Sequence, residues 1–234
     1  IELRGMQNNH VSSLSSFSYI TDIKHMLCDY GLSVPCLASY EKLNHEIRED
    51  AERDADSLLH TIDLAEYLSA KTIRVFMGNI DGNSDISRVE DNRAMIMEKT
   101  EDSPVKIVIE THDSVRTGET LGKILNYAPS CYGALWDIIH PWSMGEAYTT
   151  TWSLIGNRVY HMHIKDIRQK LAEPLHDYSA IGSGIIPVKD IVRYSIDNGY
   201  DGFFSLEWEP SSAGYSGIPF DDSVASFVPF MRSL

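Results

Sequence analysis

Apolar residues along this chain fall in short dense runs separated by longer amphipathic stretches. The runs cover residues 1–5 (IELRG), 34–40, 72–78 (TIRVFMG), 105–112 (VKIVIETH), 132–140 (YGALWDIIH), 159–167 (VYHMHIKDI) and 203–209 (FFSLEWE). They are near-continuous and not strictly alternating, the pattern of strands covered on both faces. Between them the spacing predicts helices over 14–30, 43–70, 87–99, 117–127, 143–154, 188–198 and 221–232, with a long loop after residue 167. Gly31 and Gly199 stand where two of these helices should stop.

Seven strands, each followed by a helix, imply a parallel sheet that is either doubly wound or closed. Polar residues end several of the strands across the whole chain. In a closed barrel these ends converge on one axis, whereas an open sheet gathers its ligands at a switch point. The expected fold is therefore an α/β chain forming a (β/α)₈ TIM barrel in one domain spanning residues 1–234. The sequence opens at Ile1 inside a strand-like run, so the first of the eight strands is expected upstream. No linker, low-complexity stretch or internal repeat interrupts the βα rhythm.

Composition adds exclusions. The 43% hydrophobic and 23% charged fractions are ordinary for a globular chain. A net charge of −14, with no Lys/Arg-rich run, disfavours nucleic acid as a partner. No stretch approaches 18 apolar residues and no charged-then-apolar leader is present, so neither a membrane span nor a signal peptide is expected. Cys28, Cys36 and Cys131 show no CxxC spacing, which suits a reduced, cytoplasmic compartment.

The candidate chemistry lies at four strand ends. Glu110, Asp137, His163 and Glu207 together offer three carboxylates and one imidazole, a hard-leaning set suited to one Mn²⁺, Mg²⁺, Co²⁺ or Zn²⁺ ion. Period-2 alternation puts Lys106, Glu110 and His112 on one face, and the bland alternative for Glu110 is a buried salt bridge with Lys106 or an arginine. His140 is either a loop imidazole beside Pro141 or a group that hydrogen-bonds substrate. Lys165 could hold a substrate oxygen as a point charge, or pair with Asp166 or Glu209. His161, deeper on its strand than His163, is expected to be packed. Glu209, near the rim, could orient another residue or bind substrate. The backbone N–H groups of Gly182–Gly184 could serve a phosphate, since barrels often bind phosphate near their last two strands.

The motifs E-T-H at Glu110–His112, W-D-x-x-H at Asp137–His140, H-x-H-x-K-D at His161–Asp166 and S-L-E-W-E at Ser205–Glu209 resemble those of the xylose-isomerase-like TIM-barrel superfamily. The likeness is to its sugar phosphate isomerase/epimerase members, and the superfamily also includes endonuclease IV. The opening IELRG resembles the family's second strand, and IGSGIIP at 181–187 its last repeat. The resemblance implies a metal held by Glu110, Asp137, His163 and Glu207. It also implies that Glu110 and Glu207 act as acid and base on opposite faces of a carbohydrate substrate, through a metal-stabilised enediolate. His140 matches a histidine that binds a substrate oxygen, and His112, Lys165 and Glu209 complete the expected substrate contacts. Lyases of the superfamily, of the inosose and dehydroshikimate dehydratase type, share the first chemical step and are the alternative. A non-catalytic sugar- or metal-binding barrel is a more distant one. Residues 37–40, 77–79 and 176–178 lack the extra ligands that endonuclease IV needs, so a three-metal DNA-repair site is not expected. Arg168 and Gln169 depart from the epimerase pattern beyond the histidine ligand, which leaves the substrate open. Dimers or tetramers are common among such enzymes.

Overall fold

The computed structural model describes residues 1–5, 11, 15–170, 176–208 and 219–234. Seven strands form one parallel sheet: β1 (Leu3–Arg4), β2 (Cys36–Lys42), β3 (Thr72–Phe76), β4 (Lys106–Glu110), β5 (Tyr132–Asp137), β6 (Val159–Ile164) and β9 (Phe203–Leu206). They lie side by side in chain order, and helices α1 (Phe17–Asp29), α2 (Arg48–Tyr67), α3 (Ile86–Lys99), α4 (Gly118–Leu125), α6 (Tyr148–Ile155), α7 (Val188–Asp197) and α8 (Phe220–Arg232) intervene or follow. The sheet curls strongly, because Glu2, beside β1, touches His161 and His163 of β6. The architecture is a parallel, curled half-barrel of the TIM type, as the βα rhythm predicts.

Two separate apolar clusters hold the curl. The larger lies between sheet and helices, where α2 contributes Ala51, Ala55, Leu58, Ile62 and Ala65 from one face at helical spacing. The smaller one, Cys36, Val108 and Leu135 with Tyr160 packed on it, is distinct from that layer. At Gly133 a Cβ would overlap the Tyr160 ring and come within 2.6 Å of Arg158 O, so only glycine lets β6 approach β5 here.

The strands are shorter than the apolar runs suggest. The run 132–140 does not remain extended: β5 stops at Asp137, and a short helix α5 (Ile139–Ser143) follows, separate from α6. Asp137 Oδ1 accepts the Ile139 N–H at 3.1 Å and so turns the chain at that point. The run 159–167 breaks after Ile164. The region read as a long loop contains an antiparallel hairpin of β7 (Ile167–Lys170) and β8 (His176–Tyr178), whose register the apolar pattern did not reveal. The predicted helix over 43–70 starts only at Arg48.

Candidate active site

The C-terminal ends of β4, β5, β6 and β9 bring the four expected residues together. The register places Glu110 beside Leu135, Asp137 beside His163, and His163 beside Ser205, so alternation points their side chains to one face. One donor atom each from Glu110, Asp137, His163 and Glu207 can be chosen so that all four lie within 4.8 Å of one another. Glu110, Asp137 and His163 are buried, while Glu207 is partly exposed.

His163 Nδ1 lies 2.8 Å from Glu207 Oε2 and 3.6 Å from Glu110 Oε1. Neither His163 Nδ1 nor Glu207 Oε2 makes a hydrogen bond among the described residues, though both lie at ion-pair distance from their neighbours. Carboxylate and imidazole donor atoms gathered this closely are the arrangement a cation site needs. The donor set, three carboxylates and an imidazole, fits a hard to borderline divalent metal.

The charges around this point are partly balanced by the protein. Lys165 Nζ sits 2.9 Å from Asp137 Oδ2 and 2.7 Å from Glu207 Oε2, while the Asp166 carboxylate turns to backbone N–H groups. Arg74, a buried residue of β3, lies 3.5 Å from Glu110 Oε2 and stacks over Phe76 and Tyr40. Lys106, by contrast, donates to Ser130 O at the other end of β4. Burial raises the Asp137 carboxyl to about 6, with Lys165 opposing the shift and Glu207 and Glu110 adding to it. Burial works the same way on Glu207, but His163 and Lys165 hold it well below the usual carboxylate range. For His163, burial alone would favour the neutral ring, yet Glu207, Glu2 and Glu110 raise it well above the usual imidazole value. A bound metal would take the place of that proton.

Of the expected substrate contacts, His140 and His112 lie beside the cluster. His140 Nε2 is 3.5 Å from Asp137 Oδ2, and its buried Nδ1 has no hydrogen-bond partner among the described residues. Burial, with Lys165, His112 and Arg116 nearby, keeps this ring neutral. His112 packs its ring edge-on against His140, with centroids 4.6 Å apart, and lies 2.8 Å from Asp113 Oδ1. Burial opposes a charge on His112, but the bond to Asp113 and the neighbouring carboxylates raise its pKa. Glu209 lies outside the described residues.

Asp166 does not enter this cluster. Its carboxylate accepts the N–H groups of Ile167, Gly182, Gly184 and Ile186 at 2.8–3.2 Å. The Gly182 and Gly184 amides are therefore held by an internal carboxylate, which corrects the expectation that they serve a phosphate. Glu2 and Arg74 were not anticipated as members of the site. The one hint was the charge inside the apolar runs IELRG (Glu2 and Arg4) and TIRVF (Arg74).

Among the solved structures that resemble this chain are the following three. A D-tagatose 3-epimerase-like protein superposes with a TM-score of 0.75 at 21% identity, covering 99% of this chain and 86% of that one. A probable 3-DHS dehydratase, AsbF, of petrobactin synthesis in Bacillus anthracis gives 0.68 at 18% identity over 82% and 76%. The IOLI protein, solved with a zinc atom, gives 0.68 at 16% identity over 80% and 72%. No curated protein matches the sequence. Residues 1–225 match one family across nearly the whole chain, and the protein belongs to it: the xylose isomerase-like TIM barrels.

Proposed function

We propose that the protein is a divalent-metal-dependent isomerase or epimerase of a small carbohydrate or carbohydrate phosphate. The observation that carries this reading is the convergence of Glu110, Asp137, His163 and Glu207, whose donor atoms can all lie within 4.8 Å of one another. An epimerase-like structural neighbour and a zinc-bound one support it. A cation held by these four residues would polarise a substrate carbonyl and its neighbouring hydroxyl and make the α-proton acidic.

The side chains supply the proton transfers. One of Glu110 and Glu207 takes the α-proton, and the bonding pair moves onto the carbonyl oxygen to give an enediolate. The other returns a proton to the same carbon from the opposite side, inverting the centre. Alternatively the adjacent carbon is protonated while the hydroxyl on the α-carbon passes its proton to the enediolate oxygen, giving a 1,2-shift. Glu207 is suited to begin as the base, since His163 and Lys165 keep it ionised. The Lys165 ammonium can donate to the oxygen on which charge develops. Neutral His140 can donate one hydrogen bond to a substrate hydroxyl, and His112 stands beside it at the mouth.

Elimination is the second reading, favoured by the same carboxylate pair and by the dehydratase-like neighbour. There one carboxylate removes the α-proton, and the β-hydroxyl leaves as water with a proton from the other, protonated carboxyl. A substrate screen in D₂O with Mn²⁺, Co²⁺, Mg²⁺ or Zn²⁺ separates the two. Deuterium entering an isomeric product without loss of water supports the isomerase, and a product lighter by water supports the lyase. Glu207→Gln, assayed at matched metal content, should lower turnover at least about 100-fold. Retained activity above that level would remove Glu207 as acid or base.

A further inference from the structure

We propose that Glu2 is a positioning residue for the metal site, an inference that rests on the four-residue cation site proposed above. Its carboxylate reaches from beside β1 across the curl of the sheet to β6. There Glu2 Oε2 lies 3.2 Å from His163 Nε2, and Glu2 Oε1 lies 2.6 Å from His161 Nε2. An ionised carboxylate only accepts, so the hydrogen of a neutral His163 must sit on Nε2. That leaves the Nδ1 lone pair as the free donor, on the side of Glu207 and Glu110.

The arrangement is that of a metal-binding imidazole whose second nitrogen is held by a carboxylate, which fixes both tautomer and ring orientation. Glu2 is itself held. His161, fully buried, binds its other oxygen and lies 3.0 Å from Ser205 Oγ on β9. Glu2, His161 and Ser205 thus connect β1, β6 and β9 immediately beside the site. None of the three belongs to the four-residue donor set, yet the geometry makes the His163 donor depend on where β1 is seated. Glu2, His161 and His163 also satisfy the loose geometric requirement for a cation of their own. The separate bonds from each histidine to its own Glu2 oxygen favour the positioning role instead.

The test compares Co²⁺ binding, followed by visible absorption, in the wild-type chain, Glu2→Gln, Glu2→Ala and Ser205→Ala. Thermal unfolding of the metal-free forms reports folding. The wild type should bind one ion. Glu2→Ala should bind one ion with about 10–100-fold weaker affinity. Glu2→Gln, which keeps an oxygen acceptor for His163, should lose less, and Ser205→Ala should bind nearly as the wild type does. In the zinc-loaded wild type, long-range ¹H–¹⁵N correlations should show His163 ligated through Nδ1 with hydrogen on Nε2. This last measurement needs no variant to fold. Ligation through Nε2, or unchanged affinity in folded Glu2→Ala, would overturn the proposal. So would a fall from two ions to one in that variant, which would make Glu2 a ligand. A wild type that binds no cobalt would instead remove the metal site on which the inference rests.

Discussion

Lys165 decides whether the acidic cluster is tolerable without metal. Its ammonium is buried between Asp137 and Glu207, and with Arg74 behind Glu110 it supplies the fixed positive charge among three carboxylates. Replacing it with Met should destabilise the metal-free protein by about 2–4 kcal/mol, somewhat below the usual loss for a broken buried pair because Glu207 is partly exposed. Saturating Mn²⁺ should recover much of that loss, since the ion neutralises the same oxygens. Urea unfolding with and without Mn²⁺ reads both effects, and an undiminished loss with metal would contradict the placement. The four candidate ligands were legible in the sequence because each ends an apolar run, where a barrel collects polar groups. Glu2 and Arg74 were not. Their partners are chosen by the closing of the sheet, and no local pattern records that closure. Lys106 illustrates the same limit: it shares alternation with Glu110 but sits four residues away, about 13 Å along the strand.

Asp166 organises the connection from β6 to α7. One carboxylate accepts four backbone N–H groups, gathering Ile167 and residues 182–186 around a point just past the strand end. Asp166→Ala would leave those donors to water or to nothing, at a cost of about 2–4 kcal/mol. Hydrogen exchange should rise at Gly182, Gly184 and Ile186 before the sheet opens. Unchanged protection there would mean that the loop is held by other contacts. Gly184→Ala should act in the same region, because a Cβ would overlap Asp166 Oδ1 and Ile167 O. A loss of about 1–3 kcal/mol by urea unfolding is expected, from forced displacement in a packed turn. The hairpin of β7 and β8 belongs to this unit, with Arg168 Nη1 3.0 Å from Asp177 Oδ1. It was read as a loop because its strands are short and largely polar, without the apolar run that marks the other strands. The turn after β5 was misread for a related reason. Two isoleucines after Asp137 extend the apolar run, but the carboxylate captures the Ile139 amide and starts a helix.

Across the whole molecule, the cation site should set stability and activity against each other, with a sign that pH and metal can reverse. The Asp137 carboxyl moves from its ordinary 3.8 to about 6 on folding, mainly through burial and then through Glu207 and Glu110, despite Lys165. The folded state therefore binds this proton more tightly than the unfolded state does. Its contribution to stability is fully present below about pH 4, where both states are protonated. It is lost as pH rises through about 6, so the metal-free chain carries the full cost of the buried charge at pH 8. Asp137→Asn removes that charge while keeping the size of the side chain. Without metal, the variant should unfold at a higher temperature than the wild type at pH 8, and the difference should shrink as pH falls from about 6 towards 4. Excess metal should invert the order. Binding stabilises the wild type by about 2.7 kcal/mol when free metal is 100 times its dissociation constant, and a variant lacking a ligand gains less. Thermal melts of both proteins at pH 5 and 8, with chelator and with Mn²⁺, contain the whole argument. A variant that is less stable than the wild type under chelator at pH 8 would mean that Lys165 compensates Asp137 more fully than its burial allows. Equal stabilisation of both proteins by Mn²⁺ would place the ion somewhere other than at Asp137.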